Sequence, residues 1–536
     1  MNRAVRLVFI LIIASACTNH VETNRDSEII EVPLFGEGIA EVKTTHGIVA
    51  GYIDGGAYVY KGIRYAKADR FMPPVEPDSW DGVLSTREYG PTCPQGHHTI
   101  GSDEDEFSFR WNDGVFDEDC LRLNIWTPGI NDGKKRPVML WIHGGGYAAG
   151  SGQQLPAYDG TNLSRKGNVV VITVNHRLNV LGFLDLSSFG SKYLYSGNVG
   201  LMDLVAALNW VHDNIESFGG DPGNVMIMGQ SGGGGKVSHL LTMPSAKGLF
   251  HKACVQSGSS LYTEDAAQSR ELGEAFVKAS GMDPGRLETV PYDTLFSVAE
   301  KVGGVMRFSP HVDGALIPMQ LEEALRRGAS KDVPMIIGSN FNEFSVDVSN
   351  EKVDMDMVRT ALESTYGNKS EEFISLFKKA YPDSEPRDYL ELDTWARPNA
   401  LAQASAKASQ GGSPVYLYQF MYMSPSFSGT LRCPHNMEIP FFFDNVAKQY
   451  ALTGGTADAQ ILGHRMSDLW ISFAWNGVPV SEGLPQWKPY SDEHKYTLQL
   501  GKTIHLVEGH DEDLLSLMSG YVSLDSITTD ALIFSK

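Results

Sequence analysis

The segment from Val169 to Gly233 restricts the fold of this chain more than any other feature of the sequence. It begins with the apolar run VVVITV (Val169 to Val174), continues with apolar residues at helical spacing from Leu204 to Ile215, and reaches a second apolar run, VMIM (Val225 to Met228). Short apolar runs bounded by turn formers predict buried strands, and the spacing between them predicts a helix. A strand, a helix and a strand in this order predict a right-handed crossover in a mostly parallel sheet.

The rest of the chain fits one large domain around that sheet. Pro137 to Ile142 (PVMLWI) predicts another buried strand, and Gly219 and Gly220, which tolerate positive φ, are expected to stop the helix. Hydrophobic residues make up 42% of the 536 residues, enough for one large packed interior. From about Glu41 onward, no repeat, low-complexity linker or change of composition marks a second domain. We therefore expect an α/β fold with a large, mostly parallel central sheet flanked by helices.

A glycine-rich pentapeptide follows the second apolar run. Gly229 to Gly233 (GQSGG) opens toward an apolar helical segment and fits the GxSxG pattern of a nucleophile elbow. Such a turn is sharp, so glycines two residues before and after the serine are needed to avoid steric clashes. The chain has 55 glycines, so the pattern alone is weak and a bare glycine-rich loop is the alternative. Its position between a strand and a helix predicts that Ser231 is a nucleophile.

A second glycine-rich loop directly follows the predicted strand that ends at Ile142. It consists of His143 to Tyr147 (HGGGY), and its glycines expose backbone N–H groups. We expect the N–H groups of Gly145, Gly146 and Gly232 to form an oxyanion hole for the charged oxygen of a tetrahedral intermediate. The alternatives are a flexible turn or a phosphate cradle, but the loop lacks the Lys-Ser/Thr of a P-loop and the spacing of a dinucleotide fingerprint.

Charge and histidine placement limit the partners of this chain. The formal net charge is −21, which produces a repulsive field toward phosphate backbones, so nucleic acid is not an expected partner. His97 and His98 lie in a polar stretch without metal-ligand spacing. We expect neither a metal nor an organic cofactor.

These motifs resemble the type-B carboxylesterase family, which includes the cholinesterases and many bacterial esterases. The resemblance rests on KGIRYA (Lys61 to Ala66), EDCLRLNIWTP (Glu118 to Pro128), WIHGGGY, NHRLNVLGFL (Asn175 to Leu184), Gly197 to Gly233, VDGALIP (Val312 to Pro318) and HNMEIPFFF (His435 to Phe443). It covers most of the mature chain. The resemblance implies an α/β-hydrolase fold, a single catalytic domain with a deep gorge leading to the serine, and hydrolysis of a small-molecule carboxylic ester through an acyl-enzyme intermediate.

The resemblance also implies the acid of a catalytic triad. The acid of the family is a glutamate in a segment like IGxNxDEG, which corresponds here to Ile337 to Phe344 and gives Glu343. Asn342 and Phe344 replace the usual Asp and Gly, so the loop is expected to differ in shape, and Asp347 is the alternative acid. A solvated loop carboxylate is the structural alternative for Glu343.

The base implied by the resemblance is His435, in the family motif HxxE-(I/L)-P-F. The resulting order of Ser231, Glu343 and His435 is the Ser, acid, His order of α/β-hydrolases. The rival interpretation from another class is a catalytically silent adhesion or binding protein, since the family includes such members. Those members typically lack the serine. A lactonase, amidase or peptidase using the same site is a third interpretation.

Two departures from the family pattern and two residues with more than one interpretation lie near these motifs. Gln230 and Gly232 stand where the family usually has Glu and Ala. Ser257 is interpreted as a support for the triad or as a plain turn serine. Trp111 stands near the cation-binding tryptophan of the cholinesterases, and we favour ordinary packing because its register is one residue off.

The N-terminus predicts export. Arg3 and Arg6 precede an apolar run and the small residues before Cys17, the layout of a secretory signal, and the run is shorter than the about 20 residues that span a bilayer. Cys17 resembles the acylated cysteine of bacterial lipoproteins. We predict a lipoprotein-type signal peptide at 1–16, a tether at 17–35 and a catalytic domain at 36–536. The protein would be a membrane-anchored lipoprotein of the periplasm or cell surface, with secretion after ordinary cleavage as the alternative.

Export has a consequence for the cysteines. The family pairs a cysteine near the start of the domain with the one in EDCL, and the resemblance therefore implies a disulfide between Cys93 and Cys120. An oxidising compartment favours this pair, and two free thiols are the alternative. Cys254 and Cys433 match no pair of the family.

Overall fold

The apolar runs of the sequence form the centre of the structure. The computed structural model describes residues 32–96, 114–344 and 352–521. The described strands are β1 (Glu41–Lys43), β2 (Ile48–Ala50), β3 (Tyr52–Asp54), β4 (Ala57–Arg64), β5 (Val83–Ser85), β6 (Arg122–Thr127), β7 (Arg136–Ile142), β8 (Val170–Val174), β9 (Gly220–Gln230), β10 (Lys252–Gln256), β11 (Met335–Asn340), β12 (Val415–Phe420), β13 (Tyr496–Leu500) and β14 (Ile504–Glu508). The described α-helices are α1 (Thr161–Gly167), α2 (Asn179–Phe183), α3 (Val199–Asn214), α4 (Gly232–Leu240), α5 (Ala266–Ser280), α6 (Pro284–Leu287), α7 (Tyr292–Lys301), α8 (Leu321–Arg326), α9 (Met355–Tyr366), α10 (Ser370–Ala380), α11 (Ala396–Ala408), α12 (Ile439–Phe442), α13 (Tyr450–Thr453), α14 (Ala457–Asn476) and α15 (Glu512–Met518).

Most of these strands belong to one mixed sheet. Within the described residues, 11 strands are ordered β14-β13-β12-β11-β10-β9-β7-β8-β6-β4-β3. Neighbouring strands from β13 to β8 run parallel. The pairs at both edges are antiparallel. The expected large, mostly parallel sheet flanked by helices is confirmed, and the antiparallel edges are an addition that the sequence did not indicate.

Burial on both faces explains why the central strands are continuous apolar runs. Every residue of β7 and β8 is buried. Successive side chains of a strand point to opposite faces, and the residues of β7 accordingly alternate between two clusters. Val138, Leu140 and Ile142 pack in one cluster, and Met139 and Trp141 in the other. The sheet therefore separates two apolar layers, each covered by helices.

The segment that leads to Ser231 follows the predicted order of strand, helix and strand. The predicted helix forms as α3, which continues into a short 3₁₀ turn, and Gly219 then reverses the chain at φ 76°. Gly220 does not share this role because it is already the first residue of β9. That strand starts before the predicted Val225, and most of its residues before Val225 are less buried than the rest of the strand.

The described chain from Pro33 onward forms one compact unit. Within the described residues, we find no helix that is both long and apolar enough to cross a bilayer. Five features lie outside the described ranges and stay predictions: the signal peptide at 1–16, Cys17 with most of its tether, the pair His97 and His98, Trp111 and Asp347.

Candidate active site

Ser231 lies at the sharp turn between β9 and α4. Its backbone has φ 57° and ψ −128°, a strained conformation for a residue with a side chain. The flanking glycines are required by contact: a Cβ on Gly229 would lie 2.5 Å from the carbonyl carbon of Gly233, and one on Gly233 would lie 2.0 Å from the carbonyl oxygen of Ile142. The Ser231 N–H donates to the Gln256 carbonyl at 2.8 Å, which fixes the turn to β10. The GxSxG segment thus adopts the expected elbow.

The two predicted glycine loops touch each other beside this turn. A Cβ on Gly232 would lie 2.1 Å from the carbonyl oxygen of Gly146, and one on Gly144 would lie 3.2 Å from Cβ of Ser231. Gly145 and Gly146 have φ of 85° and 61°, a conformation that favours glycine. Within the described chain, the N–H groups of Gly145, Gly146 and Gly232 have no hydrogen-bond acceptor. Three uncommitted backbone donors therefore lie near the serine.

Glu343 and His435 form a buried pair. The Nδ1 atom of His435 is hydrogen bonded to Oε2 of Glu343, and only 2% of Glu343 and 4% of His435 are exposed. When Glu343 is ionised its carboxylate can only accept, so in that state Nδ1 carries the proton and Nε2 is the basic nitrogen. The Asn340 N–H donates to the other carboxylate oxygen, Oε1, at 2.6 Å. Glu343 is thus held by β11 on one side and by the histidine on the other.

The environment of Glu343 makes its charge dependent on its neighbours. Burial raises the pKa of Glu343 to about 8, although the side chain of Ser257 and the Asn340 N–H oppose the rise. A second buried carboxyl, Glu438, accepts from the Asn340 side chain at 2.6 Å. Burial, and then the nearness of Glu343, raise the pKa of Glu438 well above its usual range. Because His435 is hydrogen bonded to Glu343, a positive charge on His435 would favour the ionised form of Glu343 more than that of Glu438.

Gln230 joins the elbow to the histidine loop. Its side chain is 2% exposed, and Nε2 donates to the carbonyl oxygen of His435 at 2.6 Å. A carboxylate in this position would place an acceptor against an acceptor, which is unfavourable when buried. The departure from the usual Glu therefore has a physical consequence: the residue next to Ser231 holds the backbone of His435.

Aromatic and apolar side chains lie beside the buried pair and the glycine loop. The sequence did not assign them to the site. The ring of Phe344, 42% exposed, lies 3.9 Å from the His435 ring between centroids, and the Trp395 ring lies 6.1 Å from it. On the oxyanion side, a Cβ on Gly146 would meet the terminal methyl of Met306 at 2.9 Å. In the sequence, Phe344 is visible only as a departure from the family motif. Neither Trp395 nor Met306 lies in a motif, so no local signal could have indicated them.

The four cysteines of the described residues are buried thiols in the structure. Cys93 and Cys120 are neighbours: a hydrogen bond to the Cys93 side chain, followed by burial, raises the pKa of Cys120 well above its usual range. The pair is therefore adjacent, as the resemblance implied, but reduced. Cys254 accepts from the Trp470 indole N–H at 3.1 Å, and Cys433 lies 3.3 Å from the Phe420 carbonyl. Among the described residues, no cluster of His, Cys, Asp and Glu could hold a metal ion.

A serine at a strand-to-helix elbow, with glycine N–H groups from a neighbouring strand end, is the arrangement of serine hydrolases with the α/β-hydrolase fold. The fold and the elbow assign this chain to that class. A model of the carboxylesterase family matches residues 39–513. The chain therefore belongs to the carboxylesterase family, and it is a serine carboxylic ester hydrolase.

Relatives of known identity agree with this assignment. The para-nitrobenzyl esterase of Bacillus subtilis (strain 168) is 35% identical over 483 residues, which cover 86% of this chain and 95% of that protein. The human cocaine esterase is 32% identical and covers 87% of this chain and 88% of its own. Among solved structures, an esterase from the anaerobe Clostridium hathewayi that can hydrolyse aliphatic aromatic polyesters has a TM-score of 0.84 and 37% identity, covering 92% of this chain and all of its own. These proteins are similar to this chain in fold and in most of its length.

The replacement Glu343→Gln tests the buried pair. An amide cannot hold the imidazole tautomer as a carboxylate does, nor stabilise an imidazolium, so we expect kcat/KM for a p-nitrophenyl ester to fall by up to about 10⁴-fold. Asp203→Asn is the matched control because Asp203 is also a buried carboxylate, paired with Arg177 at 2.7 Å. We expect that control to lower the melting temperature and to keep kcat. Equal kcat in the two variants would contradict a catalytic pair.

Proposed function

We propose that Ser231, His435 and Glu343 are the nucleophile, base and acid of this hydrolase. The observation that carries the proposal is the buried hydrogen bond between His435 and Glu343, joined through Gln230 to the elbow that presents Ser231. His435 Nε2 takes the hydroxyl proton while Oγ of Ser231 attacks the carbonyl carbon of the ester. Glu343 holds the imidazole tautomer and stabilises the imidazolium that forms.

The electrons of the ester carbonyl move onto its oxygen during this attack. We propose that the N–H groups of Gly145, Gly146 and Gly232 bind the resulting oxyanion, each contributing about 3 to 4 kcal/mol. The intermediate then collapses, and the alcohol leaves with the proton that His435 returns. Water, deprotonated by the same histidine, attacks the acyl carbon. The bond between that carbon and Oγ of Ser231 breaks, His435 returns the proton to Oγ, and the carboxylic acid is released.

A labelling experiment tests the nucleophile. We expect a fluorophosphonate probe to react with the protein and to lose all reaction in Ser231→Ala, together with hydrolysis of p-nitrophenyl acetate. Ser164→Ala is the matched control, because Ser164 is also a buried serine and its hydroxyl donates to the Thr161 carbonyl within α1, away from the elbow. We expect that variant to keep labelling. A wild-type protein that neither reacts with the probe nor cleaves esters, lactones or amides would instead favour a silent binding protein.

The apolar surround of the site supports a substrate preference. We propose that Phe344 and Trp395 form a wall for an aromatic or bulky apolar part of the ester. The two rings lie 6.0 Å apart between centroids, and Phe344 is exposed beside His435. The part of an apolar ring that stays exposed to water costs free energy, which a substrate ring would recover on binding. The Clostridium relative that hydrolyses aliphatic aromatic polyesters is consistent with such a wall.

The variant Phe344→Ala tests this preference. We expect the ratio of kcat/KM for p-nitrophenyl benzoate to that for p-nitrophenyl acetate to fall about 2- to 10-fold, since a lost aromatic contact is worth about 0.5 to 1.5 kcal/mol beyond buried area. Phe35→Ala is the control, because Phe35 is 60% exposed and belongs to the N-terminal part of the described chain. An unchanged ratio in Phe344→Ala would exclude the wall, while activity itself would still support the hydrolase.

We also propose that the protein is exported, anchored through an acylated Cys17, and carries a Cys93–Cys120 disulfide in its compartment. The signal layout supports export, and the nearness of the two thiols supports a bond once an oxidant is present. Because the two cysteines are buried together, oxidation requires no approach of distant segments.

Fractionation and mass spectrometry test this proposal in the native host. We expect the wild-type protein in the membrane fraction, and Cys17→Ser in the soluble or secreted fraction with an unchanged specific activity. A non-reducing digest of the exported protein should contain one peptide pair joined through Cys93 and Cys120. A soluble wild-type protein would argue against the anchor, and alkylation of both thiols without reduction would argue against the disulfide.

A further inference from the structure

A lysine is completely buried directly behind the proposed oxyanion loop, the HGGGY segment from His143 to Tyr147. Lys236 lies in α4, five residues after Ser231, and its exposed fraction is 0%. Among the described residues, no carboxylate lies within ion-pair distance of its ammonium group, and burial lowers the pKa of Lys236 to about 7. A buried amine without a counter-ion costs free energy. Such a residue needs a reason beyond packing.

The contacts of Lys236 are to both ends of the HGGGY loop. Nζ donates to the carbonyl oxygen of His143 at 3.2 Å. The same Nζ lies 5.6 Å from the ring centroid of Tyr147, a distance suited to a cation–π contact. His143 and Tyr147 flank the three glycines, so one side chain holds the loop at its start and at its end.

His143 transmits this hold to the donors themselves. Its Nδ1 lies 2.8 Å from the carbonyl oxygen of Gly144, and because a carbonyl only accepts, Nδ1 carries the proton and donates. That carbonyl belongs to the same peptide group as the Gly145 N–H. A hydrogen bond to the carbonyl polarises the peptide and strengthens its N–H as a donor. The His143 ring is further fixed by stacking on His176, at 5.0 Å between centroids and 16° between planes.

We propose that Lys236 is a positioning residue of the oxyanion hole, which acts through His143 and Tyr147 to hold the N–H groups of Gly145 and Gly146 toward the reacting oxygen. This inference rests on the proposed function. The donors act on charge that exists only in the transition state, so loss of their alignment lowers kcat and leaves KM nearly unchanged. A lysine that served packing alone would affect stability and not this ratio.

The chain offers a matched control for this residue. Lys407 in α11 is 1% exposed, and its Nζ also donates to backbone carbonyls, those of Ser330 at 2.6 Å and Lys331 at 3.0 Å. Burial lowers its pKa as well, to about 8. Neither carbonyl belongs to the oxyanion loop. Lys407→Met thus removes a comparable buried ammonium group away from the reacting atoms.

The experiment compares Lys236→Met with Lys407→Met on p-nitrophenyl acetate. Removing one oxyanion donor outright costs about 10²- to 10³-fold in kcat, so for an indirect contact we expect about 10- to 100-fold, with KM within about twofold. The affinity for a trifluoromethyl ketone, which forms a tetrahedral alkoxide on the serine, should fall by the same factor. Lys407→Met should lower the melting temperature and keep both values near wild type.

The outcomes separate the inference from the function on which it rests. Wild-type kcat and ketone affinity in Lys236→Met would overturn the inference, and an inactive wild-type protein would overturn the proposed function instead. If Lys236→Met does not fold, Lys236→Gln retains an N–H donor without the charge. In that variant, a kcat below wild type with an unchanged KM supports the positioning role, and wild-type kcat combined with a lower melting temperature contradicts it.

Discussion

The close contact between the start of α4 and the end of β7 is the constraint on which the site depends. The strained backbone of Ser231 costs about 1 to 3 kcal/mol and persists only because its surroundings determine it. Gly233 approaches Ile142 so closely that a methyl group would not fit between them. The oxyanion loop begins at the residue after Ile142. One contact therefore fixes the serine and its donors together, because β9 and β7 are neighbours in the sheet.

The proposed base and acid are brought to the same place by sheet order. β11 and β12 are parallel neighbours, and the segments that follow their carboxyl ends carry Glu343 and His435. In open α/β sheets, reactive groups collect at that edge. Gln230 then adds a direct link between the elbow and the histidine segment. Ser231, Glu343 and His435 are far apart along the chain, and the order of the strands brings their segments to the same edge of the sheet.

Much of this arrangement could be predicted from the sequence because it follows from local patterns. Strand, turn and helix signals predicted the elbow at Ser231 and the glycine loop after Ile142. The family motifs indicated Glu343 and His435 as further site residues. Contacts between separate segments that no motif covers could not be predicted. Trp395 approaches Phe344 only through the folding of the chain after β11, and Lys236 appears in the sequence as one more residue of a helix. The same limit applies to the antiparallel edge strands, whose partners are chosen by space and not by their own composition.

The buried charges around the site match the charge that the proposed reaction would move. Attack by the serine leaves positive charge on the imidazole and negative charge on the ester oxygen. Glu343 lies against the imidazole, and Lys236 in its charged form lies behind the loop that would receive the oxygen. Each group loses its hydration when the chain folds. In a medium of low dielectric, the effect of such a group on a nearby charge is larger than in water. Burial that raises the pKa of Glu343 and lowers that of Lys236 disfavours both charged forms at rest. The imidazolium that forms in the reaction favours the charged form of Glu343, and the oxyanion favours the charged form of Lys236. The free-energy cost of burying these two groups is therefore offset most in the transition state.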